Sequence, residues 1–295
     1  MSVPIYFTIL LTFFTLQFNA QLLVEPVLGY SFGITPLPGL QAITTTNQNT
    51  SASTHRRTYL PIRLGEGLTS GLAFSLPLKN DVSLEVSGIY QFPTIFTQLW
   101  SDEITTDTSV ILKTNVQSRS FSGIRTSLML KLSKEQKKFS YGINAGLCFL
   151  VGGRFIDEKE RLEIETMFGT STSLEDTKTI RAYSGRIGVG ATGSLDIEYK
   201  LNSRLSLPLH FGITTLSWSP ARSVLTLSQS MGQDLLPSLS VADLETHYLS
   251  NYTTTTLTPT NIPSSSPIYK LPISSITISL GLRIRIGKVK ATTDD

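Results

Sequence analysis

The chain of 295 residues has little charge and almost no cysteine. Asp, Glu, Lys and Arg make up 16% of it, whereas soluble proteins average about 25%. The apolar fraction of 40% is not high, so Ser, Thr and Gly take the place of the missing charge. The single cysteine, Cys148, excludes an intrachain disulfide and cysteine-rich zinc sites.

Basic character is also weak, because the formal net charge is only +3 and the Lys and Arg residues form no long run. This excludes a nucleic-acid-binding protein of the kind that bulk charge identifies. The length is compatible with one or two domains, and all-β barrels of about 250 residues occur as single domains. The chain is therefore long enough to bury a sizeable core.

The first twenty residues are apolar and contain no charged side chain. We interpret residues 1–20 as a signal peptide cleaved after Ala20. The alternative is an uncleaved N-terminal membrane helix, because the run is close to the ~20 residues that span a bilayer. Residues 21–290 then form one domain, and 291–295 form a short polar tail.

From Leu22 onward apolar and polar residues alternate with a period of two, which predicts strands with one apolar face. The clearest example is Ser275 to Ile286, where Ile and Leu occupy one face and Thr, Ser, Gly and Arg the other. The predicted strands are 22–34, 63–78, 82–95, 117–132, 138–151, 184–200, 204–218 and 272–287.

Short and long connections alternate strictly between these eight segments. The short ones are tight polar turns at 79–81, 133–137 and 201–203, and the long ones are 35–62, 96–116, 152–183 and 219–271. An up-and-down arrangement would place all four long loops at one end, and the turns with both termini at the other. We expect strand extensions in the loops, where 161–167 and 223–228 alternate, and we expect the Ser- and Thr-rich segment 250–266 to be mobile and solvated.

Alternation does not say which face meets the core. A soluble barrel or sandwich would carry about 25–35% charge on its surface, but the polar faces here consist mainly of Gly, Ser and Thr. This composition favours a transmembrane barrel with lipid outside and a polar lumen. Aromatic residues near both strand ends fit the girdles of such barrels: Tyr30, Phe32, Tyr90, Phe92, Phe149 and Trp218 at the loop end, and Phe139, Tyr141 and Tyr199 at the turn end.

The chain thus resembles small eight-stranded outer-membrane barrels of Gram-negative bacteria, of the outer-membrane protein A/X and PorT-like kind. The resemblance rests on the signal-like start, the eight amphipathic strands and the final strand SSITISLGLRIRIG. It implies an eight-stranded antiparallel up-and-down transmembrane β-barrel with extracellular loops and periplasmic turns and termini. It also implies contact with outer-membrane lipid and the barrel assembly machinery. One difference is that the last outward residue is Ile286, where such barrels commonly carry an aromatic residue.

The lumen of an eight-stranded barrel is just wide enough for its own side chains, so a solute pore is not expected. Charges there persist only when they are paired. We therefore predict a salt-bridge network that plugs the turn half of the lumen; a proton or ion path is the alternative. Its predicted members are four acids and four bases: Glu25, Glu85, Asp196, Glu198, Lys131, Arg204, Arg283 and Arg285.

The strand sequences give little support for catalytic chemistry. Lipid-modifying barrels that hydrolyse their substrate use a His with a nearby Ser, but two positions after His210 stands Gly212. We interpret His210 as a satisfied interior residue and Cys148 as a small buried filler. No catalytic residue and no cofactor is predicted.

Two loop clusters are candidate binding sites. His55, Arg56 and Arg57 in the first loop, with Ser51 and Ser53 beside them, could bind an anionic sugar or lipid phosphate. A second cluster, Asp243, Glu245 and His247, could chelate a divalent cation, although we predict no metal. In both cases the alternative is an ordinary solvated loop.

The sequence therefore predicts a non-enzymatic outer-membrane barrel with a structural or binding role. Its lumen is plugged by the salt-bridge network instead of forming an open pore, and its recognition lies in the four extracellular loops. One alternative is an accessory component of an envelope secretion or transport machine with a protein partner, as the PorT-like resemblance suggests. A second is a lipid-modifying enzyme. We expect a monomer that binds no nucleic acid.

Overall fold

The computed structural model describes residues 22–35, 46–48, 51–58, 63–79, 81–105, 109–167, 170–251 and 260–286. The predicted signal peptide and the polar tail lie outside these residues. Helix is limited to a 3-10 turn, Leu236–Ser238, and a one-turn α-helix, Val241–Leu244. Within the described ranges, no helix is long and apolar enough to cross a membrane.

The rest of the described chain is mainly strand. The strands are, in chain order, β1 (Leu22–Gly33), β2 (Thr46–Gln48), β3 (Ser51–Thr58), β4 (Gly67–Lys79), β5 (Val82–Thr105), β6 (Ser109–Gln136), β7 (Phe139–Met167), β8 (Thr170–Gly185), β9 (Gly188–Lys200), β10 (Leu205–Trp218), β11 (Pro220–Ser230), β12 (Gln233–Asp234), β13 (Glu245–Leu249), β14 (Ser264–Pro267), β15 (Leu271–Pro272), β16 (Ser275–Gly281) and β17 (Arg283–Ile286).

Eight antiparallel strands hydrogen-bond to one another in a closed ring. The order around the ring is β1, β4, β5, β6, β7, β9, β10 and the β16–β17 pair, which returns to β1. The prediction of an all-β chain with eight antiparallel strands is therefore confirmed. The last strand is interrupted at Leu282, opposite Pro26 of β1. Because proline has no N–H group, it cannot complete the ladder at that point.

Tight turns join β4 to β5, β6 to β7 and β9 to β10, all at one end of the ring. At the other end, β5 with β6 and β7 with β8 continue past the ring as long hairpins, which β3 and β11 extend by pairing to β5 and β8. We call this part the extension sheet. The strand extensions predicted at 161–167 and 223–228 are present in β7 and β11. Strand also covers most of 96–116 and 152–183, which corrects the prediction of long loops there.

Cross-strand ion pairs contribute to the stability of these longer strands. Lys113 of β6 stands opposite Glu163 of β7, and their charged atoms are 3.1 Å apart. Lys178 of β8 stands opposite Glu160 and also reaches Glu158 at 2.6 Å. Opposite charges on directly paired residues stabilise a sheet. Residues 252–259 of the Ser- and Thr-rich segment lie outside the described part, and Ser264 to Ser266 belong to β14.

The two faces of the ring strands differ sharply in polarity. Outward residues are large, apolar and exposed, for example Leu280 at 56% and Ile143 at 60%. Inward residues are polar or charged and buried, for example Glu25 at 2% and Arg283 at 4%. The period-two pattern of the sequence thus corresponds to a ring with an apolar outside and a polar inside.

The close approach of β4 and β5 gives a test of the ring geometry. A Cβ atom added at Gly71 would collide with the Gly88 carbonyl oxygen, whereas a Cβ added at Gly88 would meet nothing within 4 Å. We expect Gly71→Ala to destabilise the fold by about 1–3 kcal/mol, the usual cost of overpacking. Gly88→Ala is the matched control on the neighbouring strand and should leave the urea unfolding midpoint unchanged. Equal midpoints for the two variants would contradict this packing.

Candidate functional site

Arg283 of β17 ties together two carboxylates inside the turn half of the ring. Its Nε and Nη2 atoms donate to Glu25 Oε2 at 2.9 and 2.6 Å, and its Nη1 atom donates to Glu198 Oε2. Ser206 Oγ donates to the other Glu198 oxygen at 2.5 Å. Charge-assisted bonds of this kind are the strong ones in proteins, and these join four ring strands.

His210 continues the chain of contacts across the interior. Its Nε2 atom lies 2.5 Å from Glu25 Oε1, and its Nδ1 atom lies 2.7 Å from Asp196 Oδ1. Lys131 Nζ and Asn144 Nδ2 donate to Asp196 Oδ2 at 2.7 and 2.8 Å. Only a doubly protonated imidazole can donate from both ring nitrogens. This geometry therefore fits a positively charged His210 between two carboxylates.

The structure brings together five of the eight predicted network residues: Glu25, Lys131, Asp196, Glu198 and Arg283. Glu85 is buried beside them at 4% exposure, and its Oε2 atom has no hydrogen-bond partner.

The structure does not bring Arg204 and Arg285 into this network. Arg204 is exposed and Arg285 half-buried at the turn end, and neither has an ion-pair partner among the described residues. Their places are taken by His210 and by Arg125, which is 6% exposed. With His210 charged, the interior still holds four acids and four bases: Glu25, Glu85, Asp196 and Glu198 against Arg125, Lys131, His210 and Arg283.

The sequence reasoning missed Arg125 and Asn144 as interior partners. Both lie on the polar face of their strand. Strand parity, the alternation of side chains between the two faces of a strand, therefore predicts that they point inside. Asn144 contributes the bond to Asp196 described above, and Arg125 donates to Ser275 Oγ at 3.1 Å and to Ser31 Oγ at 3.0 Å.

A small cavity of about 90 Å³ lies between Arg125 and the charged network. Glu85, Cys148 and His210 also line it, together with hydroxyl side chains of Ser and Thr residues. A single water needs ~10–15 Å³ of such space, so the cavity has room for several waters. Drug-sized ligands occupy pockets of about 300–1,000 Å³, which is far more than this space offers.

Apolar side chains fill the interior at the long-connection end. They form a cluster that we call the apolar plug: Leu64, Phe121, Leu150, Phe155, Leu216, Trp218, Leu271 and Ile273. Gln91 Nε2 donates to the carbonyl oxygens of Leu64 and Glu66 at 2.9 and 3.2 Å, which holds this segment inside the ring mouth.

Two predictions are corrected by the apolar plug. The sequence predicts Trp218 in the outward girdle, but its side chain is fully buried and packs edge-on against Phe121, with ring centroids 5.6 Å apart. The sequence predicts a strand from residue 63 onward, but β4 begins only at Gly67. Together with the charged network, the plug closes the interior at both ends.

The loop cluster of Asp243, Glu245 and His247 does not converge on one point. Asp243 caps the one-turn helix by accepting from Ser240, and these hydrogen bonds hold the pKa of its carboxyl below the usual value. Glu245 instead bonds His247 and Arg222, both at 2.6 Å. Within the described ranges, no group of three or more His, Cys, Asp or Glu side chains could hold a metal ion.

The predicted anionic-ligand cluster lies on β3, where the backbone of His55, Arg56 and Arg57 pairs with residues 100–102 of β5. The side chains of these three residues lie outside what the structure describes, so their binding role stays a prediction.

No protein-family model matches the chain, and no curated protein matches it. His210 contacts two carboxylates and, among the described residues, has no serine hydroxyl as a partner.

The contrast between Arg283 and Arg285 tests the charged network. Arg283→Leu leaves Glu25 and Glu198 buried without their cation, so we expect a loss of about 3–5 kcal/mol in the free energy of unfolding. Arg285→Leu removes the same side chain two residues further along the strand and should cost less than about 1 kcal/mol, because that guanidinium has no described ion pair. Urea unfolding followed by circular dichroism measures both, and equal losses would contradict the network.

Proposed function

We propose that the ring is an integral outer-membrane β-barrel whose apolar outside faces lipid. The observation that carries this proposal is the inverted polarity of the ring: large apolar residues are exposed on every ring strand while the charged residues lie inside. Soluble monomers rarely expose contiguous apolar patches larger than about 300–600 Å². A surface of this kind all around the ring suits hydrocarbon far better than water.

Aromatic pairs near both ends of the ring support the same proposal. Tyr30 with Phe32 and Tyr90 with Phe92 lie toward the long connections, each pair with ring centroids 4.9 Å apart. Phe139 and Tyr199 lie at the turn end, 5.3 Å apart. Aromatic girdles at both interfaces are typical of outer-membrane barrels. In that family of folds the long connections are extracellular and the turns periplasmic, which is the orientation we propose.

The proposed role is non-enzymatic recognition through the external loops and the extension sheet. The closed interior argues against a solute pore, because the charged network fills one half and the apolar plug the other. The extension sheet, in contrast, is a broad surface braced by cross-strand ion pairs. Loops on a rigid scaffold are the usual place for binding. A lipid-modifying activity has no comparable support, since His210 is committed to two interior carboxylates.

One observation favours the second candidate function, an accessory component of an envelope secretion or transport machine. Exposed apolar side chains continue on the extension sheet beyond the aromatic pairs, at Leu99, Leu112 and Leu162. Apolar residues on a surface that projects from the membrane suit contacts with another protein.

Cell fractionation with a heat-modifiability gel tests the membrane proposal. We expect the protein in the outer-membrane fraction, and we expect unheated samples to migrate differently from boiled ones because the folded barrel resists detergent. Gly71→Ala should weaken this resistance relative to the Gly88→Ala control. Recovery of the protein as a soluble periplasmic species would overturn the proposal.

Crosslinking in intact cells separates the two candidate roles. If the protein is an accessory component, a defined partner complex forms, and Leu112→Asp with Leu162→Asp reduces its yield because the apolar contact is lost. The matched control is Leu128→Ala, which changes an outward residue of the ring itself. A complex that survives the two extension-sheet substitutions would contradict a partner contact on that surface.

A further inference from the structure

Arg204 and Arg285, the two arginines that stay outside the interior network, lie side by side at the turn end. Arg285 is in β17, and Arg204 directly precedes β10. The backbone N–H of Arg285 donates to the carbonyl oxygen of Arg204 at 2.9 Å, and the next pair in the ladder is Leu205 with Ile284. The two guanidinium-bearing residues therefore face each other across neighbouring strands.

Arg204 and Arg285 have no counter-charge among the described residues. Like charges directly opposite each other destabilise a sheet. Three other cations of this half are paired, Arg283 with Glu25, Lys131 with Asp196 and Lys200 with Glu135. The exposed Lys134, Lys137 and Lys138 at the turn between β6 and β7 have no ion pair among the described residues. No carboxylate of the described residues lies within ion-pair distance of Arg204 or Arg285. An anion from outside the described structure would remove the repulsion.

The space beside the two arginines has a charged end and an apolar side. A groove of about 660 Å³ is lined by Arg204 and Arg285 together with Leu205, Ile284 and Ile286. Ile284 and Ile286 belong to the outward apolar surface, with exposures of 37% and 53%. A free inorganic anion would use only the charged end, whereas an amphiphile would use both.

The whole turn end is basic, which adds a longer-range attraction. Its described charged side chains are six bases and two acids: Lys134, Lys137, Lys138, Lys200, Arg204 and Arg285 against Asp81 and Glu135. Each Lys or Arg near a membrane surface contributes about 1 kcal/mol of attraction to anionic lipid.

We propose that Arg204 and Arg285 form a binding site for the phosphate headgroup of an anionic phospholipid, with an acyl chain along Ile284 and Ile286. Arginine suits this role because its planar fork matches phosphate oxygens in a bidentate manner. The site rests on the proposed function, because the apolar outer surface must face lipid. It lies in the leaflet at the turn end.

Lipid retention by the folded full-length protein tests the site. The protein is refolded into vesicles of phosphatidylcholine with phosphatidylglycerol, folding is checked by heat-modifiable migration, and bound lipid is measured by native mass spectrometry. We expect preferential retention of phosphatidylglycerol. Arg204→Gln with Arg285→Gln should weaken it about thirtyfold, since two cations in direct contact with the headgroup are lost. Arg204→Gln alone changes an exposed residue and should give an intermediate loss.

Lys134→Gln with Lys138→Gln is the matched control, because it removes two charges from the same rim without touching the groove. It should cost only the longer-range attraction and therefore lower retention clearly less than the arginine double substitution. An equal loss in this control would overturn the site in favour of general surface charge. Displacement of the lipid by inorganic phosphate at low concentration would overturn the lipid in favour of a free anion. A wild-type protein that folds in vesicles without lipid preference refutes the site and leaves the proposed function standing. A wild-type protein that does not insert refutes both.

Discussion

The buried ion pair between Arg283 and Glu25 lies where the last strand of the ring meets the first. The backbone ladder of this seam is interrupted between Val24–Ile284 and Val27–Gly281, because Pro26 has no N–H to donate. The side chains of Glu25 and Arg283 bridge this gap with two bonds to one carboxylate oxygen. A slip of the seam by one residue would turn Arg283 toward the apolar outside. The pair therefore helps to set the register in which the ring closes.

The rest of the interior follows from the need to satisfy these buried charges. Glu25 accepts from Arg283 on one side and faces His210 on the other, and His210 in turn faces Asp196. Each added charge needs an opposite partner, because an unpaired ion in a low-dielectric interior is costly. Side chains committed in this way cannot also line an open channel. The filled interior is thus a consequence of the pairing.

Strand parity explains both the success and the limits of the sequence reading. Because the side-chain period of a strand is two, the inward positions of Glu25, Asp196 and Glu198 could be predicted without knowledge of the fold. Parity does not give the depth of a residue along the ring axis, which depends on tilt and stagger. Arg204 and Arg285 therefore reach the rim instead of the network. The inward turn of Leu64 to Glu66 depends on Gln91, some 25 residues away in the chain, and no local pattern signals such a contact.

The chain has few charged residues, and their placement gives the two ends of the molecule different chemistry. In the extension sheet most charged side chains have a cross-strand partner, such as Lys113 with Glu163 and Lys178 with Glu158. Paired charges largely cancel beyond a Debye length of about 8–10 Å, so contacts there depend on shape and on the exposed leucines. Among the described residues of the turn end the bases outnumber the acids, and Arg204 and Arg285 have no carboxylate within ion-pair distance. No described side chain cancels their field, and the lipid phosphate that we propose at this site would balance it.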